Sequence, residues 1–176
     1  LGISGVEGNL VGRPLGEAMA AAGFAPSRVR VLNDTVAALL AGAGARAGHF
    51  DRFAGLIAGT GTNMAGFFRH EEIPKLAGAP WPHGEMAVNL ESGNFFPPHL
   101  SAWDEALDRR MDRPGQQRFE KALSGYYLPF LFREVAPEEP GFLPENGSAR
   151  LVALREEGHP AAEALLARAA DLVAAG

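Results

Sequence analysis

The sequence predicts a mixed α/β fold on three observations. Short β-branched runs are set off by glycine-rich turns, Ala- and Leu-rich stretches carry helical spacing, and strands and helices do not strictly alternate. The 176 residues suit one domain or pieces of two. Hydrophobic residues make up 47% of the chain and charged residues 21%, a balance that excludes intrinsic disorder and collagen-like repeats. Sixteen Lys and Arg against 21 Asp and Glu leave a net charge of −5, which argues against a dedicated nucleic-acid binder with its basic face. Without cysteine there is no disulfide framework, no thiolate metal site and no thiol nucleophile. Apolar stretches stop well short of the ~18 residues of a membrane span. The chain opens Leu1-Gly2-Ile3-Ser4, with no basic n-region and no apolar h-region, and reads as a fragment of a cytoplasmic-type protein.

Taken in order, residues 10–22 place Leu10, Val11, Leu15, Ala18, Met19 and Ala22 near helical spacing, with Gly23 as a stop. Val29 to Leu32 reads as a strand feeding Asn33-Asp34-Thr35, a helix start, and then an Ala-rich helix closed by the small-residue loop 42–48. Phe53 to Ala58 is a second strand, and Met64 to Phe68 its return, so Gly59-Thr60-Gly61-Thr62-Asn63 between them is a hairpin tip. Residues 73–84, with three prolines, are irregular, and Met86 to Leu90 is another strand. Ser101 to Met111 suits a short helix. Residues 114–134 carry the strongest helical pattern, with Pro114 in the first turn and Pro129 as a kink or end. Residues 136–147 read as a loop or linker, and 151–156 and 161–175 as closing helices.

Four polar groupings sit at the ends of apolar elements, where side chains converge while the element holds them rigid. The carboxylate of Asn33-Asp34-Thr35 reads locally as a helix cap, and alternatively as a general base; both hold together only if one oxygen stays open for substrate. The Gly59-Thr60-Gly61-Thr62 turn is either a structural hairpin or an anion cradle of backbone N–H groups and hydroxyls; it is not a Walker A loop, because no Gly-Lys-Ser/Thr follows. Glu91, after Asn89-Leu90, reads as a solvated strand end. Glu120 reads as a surface carboxylate paired with Gln116 or the adjacent basic residues. His49, His70, His83, His99 and His159 show no metal-ligand spacing, and Trp81 and Trp103 read as packing residues.

The order and spacing of these groupings carry more than any one alone. Residues 31–36 (Val-Leu-Asn-Asp-Thr-Val), 56–63 (Leu-Ile-Ala-Gly-Thr-Gly-Thr-Asn), 86–95 (Met-Ala-Val-Asn-Leu-Glu-Ser-Gly-Asn-Phe) and 113–128 (Arg-Pro-Gly-Gln-Gln-Arg-Phe-Glu-Lys-Ala-Leu-Ser-Gly-Tyr-Tyr-Leu) closely resemble the eukaryotic-type hexokinase and glucokinase family. Similarity reaches Val6-Glu7-Gly8 upstream and residues 168–176 downstream, with a gap between about Pro137 and Pro160. The resemblance implies the actin-like ATPase-domain (ribonuclease H-like) fold of sugar kinases, in part: residues 1–32 as the end of the small lobe and 33–176 as part of the large lobe. It implies ATP-dependent phosphorylation of a hexose, glucose foremost, at the 6-hydroxyl, the first step of glycolysis, with Mg2+ held mainly through the nucleotide phosphates. Asp34 matches the catalytic base; Asn33, Asp34, Asn63, Glu91 and Glu120 match the sugar-binding residues. Gly59, Thr60, Gly61 and Thr62 match the loop that contacts the ATP phosphates. No protein-held metal, nucleic acid or membrane partner is implied, and oligomeric state is not specified.

Three departures from the family pattern stand beside the match. Ser92 replaces the aromatic residue usual after the sugar-binding glutamate, the segment 135–160 is shorter, and neither the upstream Asp-Gly-Gly-Thr-type phosphate motif nor the downstream adenosine motif falls within these residues. The alternatives are a non-catalytic sugar-binding or regulatory relative, and a kinase for another hexose or phosphate donor.

Overall fold

Glycine at the tip and β-branched or aromatic residues on either side fold residues 54–69 back on themselves. A computed structural model describes residues 11–24, 29–78, 80 and 83–175. Strands β1 (Ala54–Ala58) and β2 (Thr62–Arg69) pair antiparallel, with Ala58 opposite Thr62, as the hairpin reading predicts. Strand β3 (Glu85–Asn89) joins the far side of β2 with Ala65 opposite Asn89, giving a three-stranded antiparallel sheet in the order β1-β2-β3. The intervening segment forms short 3-10 turns at His70–Glu72 and Pro74–Leu76.

Helix α1 (Gly12–Ala21) buries none of its residues, whereas α2 (Asp34–Ala45) lays Thr35, Val36 and Leu39 onto the sheet. Their approach requires glycine at 55: a Cβ there would stand 2.8 Å from the Thr35 carbonyl oxygen and 2.9 Å from Leu39 Cβ. The same packing carries α2 through Gly42 and Gly44 to Ala45, beyond the predicted stop. Each internal glycine costs about 1 kcal/mol relative to alanine, and burial of the Val36 and Leu39 side chains offsets it.

The second layer is helical. Helices α3 (Ala102–Arg110), α4 (Arg118–Leu123), α5 (Leu128–Val135), α6 (Gly147–Glu156) and α7 (Pro160–Ala175) close around Leu107, Phe119, Leu131, Phe132, Phe142 and Leu151, each at most 2% exposed. Phe142 belongs to the loop or linker reading of 136–147. Its ring lies 4.7 Å from that of Phe132, so the segment is pinned into the core. Trp103 is half exposed and lines a shallow crevice with Leu131, Val135 and Leu165.

Two element predictions are corrected. Residues 29–32 form no strand, and Val31 and Leu32 are exposed; no other strand lies alongside them to complete a ladder among the described residues. The single helix over 114–134 is two helices. Gln117 is left-handed (φ 53°), which holds off the start of α4 until Arg118, and Ser124 is extended (ψ 151°), which ends it. Pro129 lies in the first turn of α5, where its missing N–H is not needed. The readings on Leu10, Val6-Glu7-Gly8, Trp81 and Gly176 fall outside the described residues.

Candidate active site

Asn33, not Asp34, caps α2. Its Oδ1 accepts from Thr35 N–H (2.9 Å) and Val36 N–H (3.3 Å), satisfying two donors of the first turn. Asp34 is the first helical residue, and its Oδ1 accepts from Thr35 N–H (2.8 Å) and the Thr35 hydroxyl (3.3 Å). Its Oδ2 makes no hydrogen bond among the described residues, so the cap and an available carboxylate oxygen coexist because two neighbouring residues divide the tasks.

The next two residues come from β2 and the end of β3. Asn63 Oδ1 accepts from Met64 N–H (2.8 Å) and Ser92 N–H (3.2 Å), which ties the hairpin to the 3-10 turn Ser92–Asn94. Glu91 is left-handed (φ 50°), an arrangement that costs a non-glycine residue of order 1 kcal/mol. The turn is held by Asn94 N–H donating to the Glu91 carbonyl (3.0 Å) and by Leu90 N–H donating to the Met64 carbonyl (2.9 Å). Glu91 is exposed just past the strand, as the solvated strand-end reading has it, but its carboxylate is tied: Asn89 Nδ2 donates to Oε1 at 2.6 Å.

Glu120 arrives from α4, and it does not pair with Gln116 or the adjacent basic residues. Its neighbours have other partners: Lys121, 3% exposed, bonds Asp108 Oδ1 (2.6 Å), and Arg118 pairs with Glu105. Glu120 Oε2 instead accepts from Thr62 N–H (2.9 Å), 58 residues away in sequence. A Cβ at Gly61 would lie 2.8 Å from that oxygen, so glycine admits the carboxylate to the hairpin. Behind α4, Asp108 Oδ2 accepts from Gly115 N–H (2.7 Å) and Lys121 Nζ donates to the Arg113 carbonyl (3.1 Å), fixing the loop that leads into Gln117. Burial works to raise the Asp108 carboxyl, but the bonds from Lys121 and Gly115 outweigh it and hold the group below its ordinary value. Burial, and the Glu120 charge after it, push the Tyr127 phenol up.

Asn33, Asp34, Asn63, Glu91 and Glu120 all line one cavity of about 260 Å³. Gly61 and Thr62 line it too; Gly59 and Thr60 do not. The Thr62 hydroxyl is committed inward, donating to the Ile57 carbonyl (3.1 Å). At the tip, the Gly59 and Thr60 carbonyls accept from Gly125 N–H (2.7 Å) and Tyr126 N–H (3.3 Å), so the break between α4 and α5 anchors the turn. Thr60 N–H and hydroxyl and Gly61 N–H make no hydrogen bond among the described residues. Asn94 and Gln117 also line the cavity, joined by Gln117 N–H donating to Asn94 Oδ1 (3.3 Å), and were not singled out from sequence. Gln117 sits three residues before Glu120 in the same motif, but nothing in local spacing shows that its backbone turns left-handed into the site. No side chain in the lining is cationic, and no cluster of three metal-ligating side chains occurs among the described residues.

Residues 53–138 match the family model described as hexokinase. Hexokinase-1 of Nicotiana tabacum is 44% identical over 107 residues, which cover 60% of this chain and 21% of that protein. The chain belongs to the hexokinase family. Hexokinase-2 of Solanum tuberosum is 40% identical over 126 residues, 69% of this chain and 25% of the relative, so the chain spans between a fifth and a quarter of these hexokinases. Among solved structures, the hexokinase of Schistosoma mansoni complexed with glucose superposes with a TM-score of 0.58 at 29% identity, covering 77% of this chain and 30% of that one. A second hexokinase crystal structure gives a TM-score of 0.60 at 28% identity, over 93% of this chain and 36% of that one. The fold is accordingly the actin-like fold of hexokinases, held in part, and Asn63, Glu91 and Glu120 lie inside the matched family span. No helix among the described residues is long and apolar enough to cross a membrane.

Proposed function

We propose that the protein carrying this chain phosphorylates a hexose, glucose foremost, at the 6-hydroxyl with ATP. The observation that carries this reading is the meeting of five acid and amide side chains, drawn from four distant stretches, around one cavity. A hexose presents a ring of hydroxyls, each both donor and acceptor, and carboxylates and amides complement such a ring. Glu91 and Glu120 accept hydroxyl protons in charge-assisted bonds, stronger than neutral ones. Asn33 and Asn63 fix neighbouring hydroxyls. Asp34, with Oδ2 open, accepts the 6-hydroxyl proton as the oxygen attacks, which orients the nucleophile.

The hairpin tip fits a phosphate anion: the Gly59 and Thr60 carbonyls are tied back to residues 125 and 126, Gly59 N–H closes the turn onto the Gly61 carbonyl (2.9 Å), and the Thr60 and Gly61 N–H groups and the Thr60 hydroxyl are left for oxygen acceptors. ATP supplies the transferable phosphoryl group, with Mg2+ held by its phosphates. Thr60 and Gly61 bind the phosphate oxygens, Gly59 shapes the turn that presents them, and Thr62 serves the sugar side through its backbone. Residues 1–32 form the end of the small lobe and 33–176 part of the large lobe. In support, α1 packs toward Val29 and Val31 and buries nothing in the body that begins at Thr35. The reaction is the first step of glycolysis, carried out in the cytoplasm.

The test is product analysis on the full-length protein, with glucose, mannose and fructose against ATP and polyphosphate. Equimolar ADP and glucose 6-phosphate support the reading. A sugar-dependent rise in Tm with no phosphorylated hexose from either donor would favour a non-catalytic sugar binder instead.

A further inference from the structure

Asn63, Asn89 and Glu91 form a chain of side-chain hydrogen bonds whose direction is fixed from one end. Asn63 Oδ1 accepts from two backbone N–H groups, those of Met64 (2.8 Å) and Ser92 (3.2 Å). A backbone N–H only donates, so the Asn63 amide cannot be flipped, and its Nδ2 faces Asn89. That Nδ2 donates to Asn89 Oδ1 at 2.7 Å, and Glu91 N–H adds a longer bond to the same oxygen (3.4 Å). Asn89 is thereby oriented in turn, and its Nδ2 donates to Glu91 Oε1 at 2.6 Å. Glu91 is exposed and left-handed, so packing does not fix its carboxylate. The bond from Asn89 does.

We propose that Asn89 is a positioning residue for the sugar site: oriented by the Asn63 amide, it holds the Glu91 carboxylate so that the remaining carboxylate oxygen faces the hexose. The inference rests on the sugar-kinase reading of the cavity. It also has a signature in pH. The charged groups facing the cavity are Asp34 from α2, Glu91 itself and Glu120 from α4, with no cation among the lining residues; the β2 residue opposite Asn89 is Ala65. Asn89→Asp would keep the acceptor for Asn63 but turn a second carboxylate toward Glu91 at hydrogen-bond distance. Two carboxylates so placed do not both ionise, and one takes up a proton at a raised pKa. In that protonated form an O–H replaces the lost N–H donor.

Steady-state kinetics on the full-length protein, from about pH 5.5 to about pH 8 and normalised to wild type at each pH, test this. Asn89→Ala should raise the KM for glucose by about tenfold or more at every pH, with a smaller change in kcat and none in the KM for ATP. Asn89→Asp should show a comparable defect near pH 8 that recedes toward wild type as the pH falls. Because Asn89→Asp preserves shape, it keeps the test decisive where Asn89→Ala does not fold. Wild-type KM values in both variants, or an Asn89→Asp defect that does not change with pH, would overturn the proposal. A wild type that neither binds nor phosphorylates glucose would instead overturn the underlying reading of the cavity, and this assignment with it.

Discussion

Phe119, Phe132 and Phe142 are each at most 2% exposed in the helical body, whereas the sheet layer gathers a buried cluster of only Val36, Leu39 and Ala65 among the described residues. The candidate site lies on the seam between them. From the helical side, Glu120 projects from α4, whose own Phe119, Ala122 and Leu123 are buried, so packing holds it. On the sheet side Asn33, Asn63 and Glu91 sit at element ends and are held by hydrogen bonds and a left-handed turn. Rigidity thus comes from apolar volume on one side and from directed polar contacts on the other. Substitutions in the body should register as lost stability, and substitutions at the sheet tips as lost activity.

The largest effect expected is on rate. Asp34→Ala should lower kcat by about 10²–10⁴-fold, the range of general-base catalysis, while calorimetry finds glucose binding largely intact and Tm little changed. Retained turnover would remove Asp34 from the role of base. Next, Phe132→Ala should cost about 3–5 kcal/mol in denaturant unfolding, and Leu39→Ala about 2–3 kcal/mol, because Leu39 is the smaller side chain and belongs to the smaller buried cluster. The reverse order would break the contrast between the layers.

A third effect depends on pH. Asp108 is held below its ordinary pKa in the fold, so its contribution is fully present above the unfolded carboxylate value of about 3.9 and is lost as pH falls through the lower folded value. The stability difference between wild type and Asp108→Asn should therefore shrink as the pH is lowered from about 6 to about 3. A difference that stays constant would mean the Lys121 bond does not set it. The smallest effect is at the Arg13–Glu17 pair on α1, whose side chains are more than two-thirds exposed; Glu17→Ala should leave the denaturation midpoint where it is.

The hairpin, the short helix over 101–111 and the closing helices were legible in the sequence because alternation, capping residues and 3.6-residue spacing are local signals. The strand over 29–32 was not, since a β-branched run becomes a strand only with a neighbour to pair with. The division of residues 114–134 into two helices escaped for a related reason. Aromatic periodicity runs across Ser124 and Gly125, and the cause of the break is a tertiary bond from Gly125 to the Gly59 carbonyl. At the site, Asp34 and Glu120 each looked bland alone. The cap went to Asn33 and the bond from Glu120 to Thr62, choices made by backbone geometry and by a contact 58 residues distant. Asn89 and Gln117 stood in plain view in their motifs, but their parts depend on two left-handed residues, Glu91 and Gln117, that carry no glycine to mark them.

A crystal structure of the full-length protein with glucose tests the central claim most directly. The account predicts the sugar in the cavity shared by α2, the hairpin and α4, its 6-hydroxyl within hydrogen-bonding distance of Asp34 and other hydroxyls on Glu91 and Glu120. Glucose bound elsewhere, or seated there with Asp34 out of reach of any hydroxyl, would contradict it.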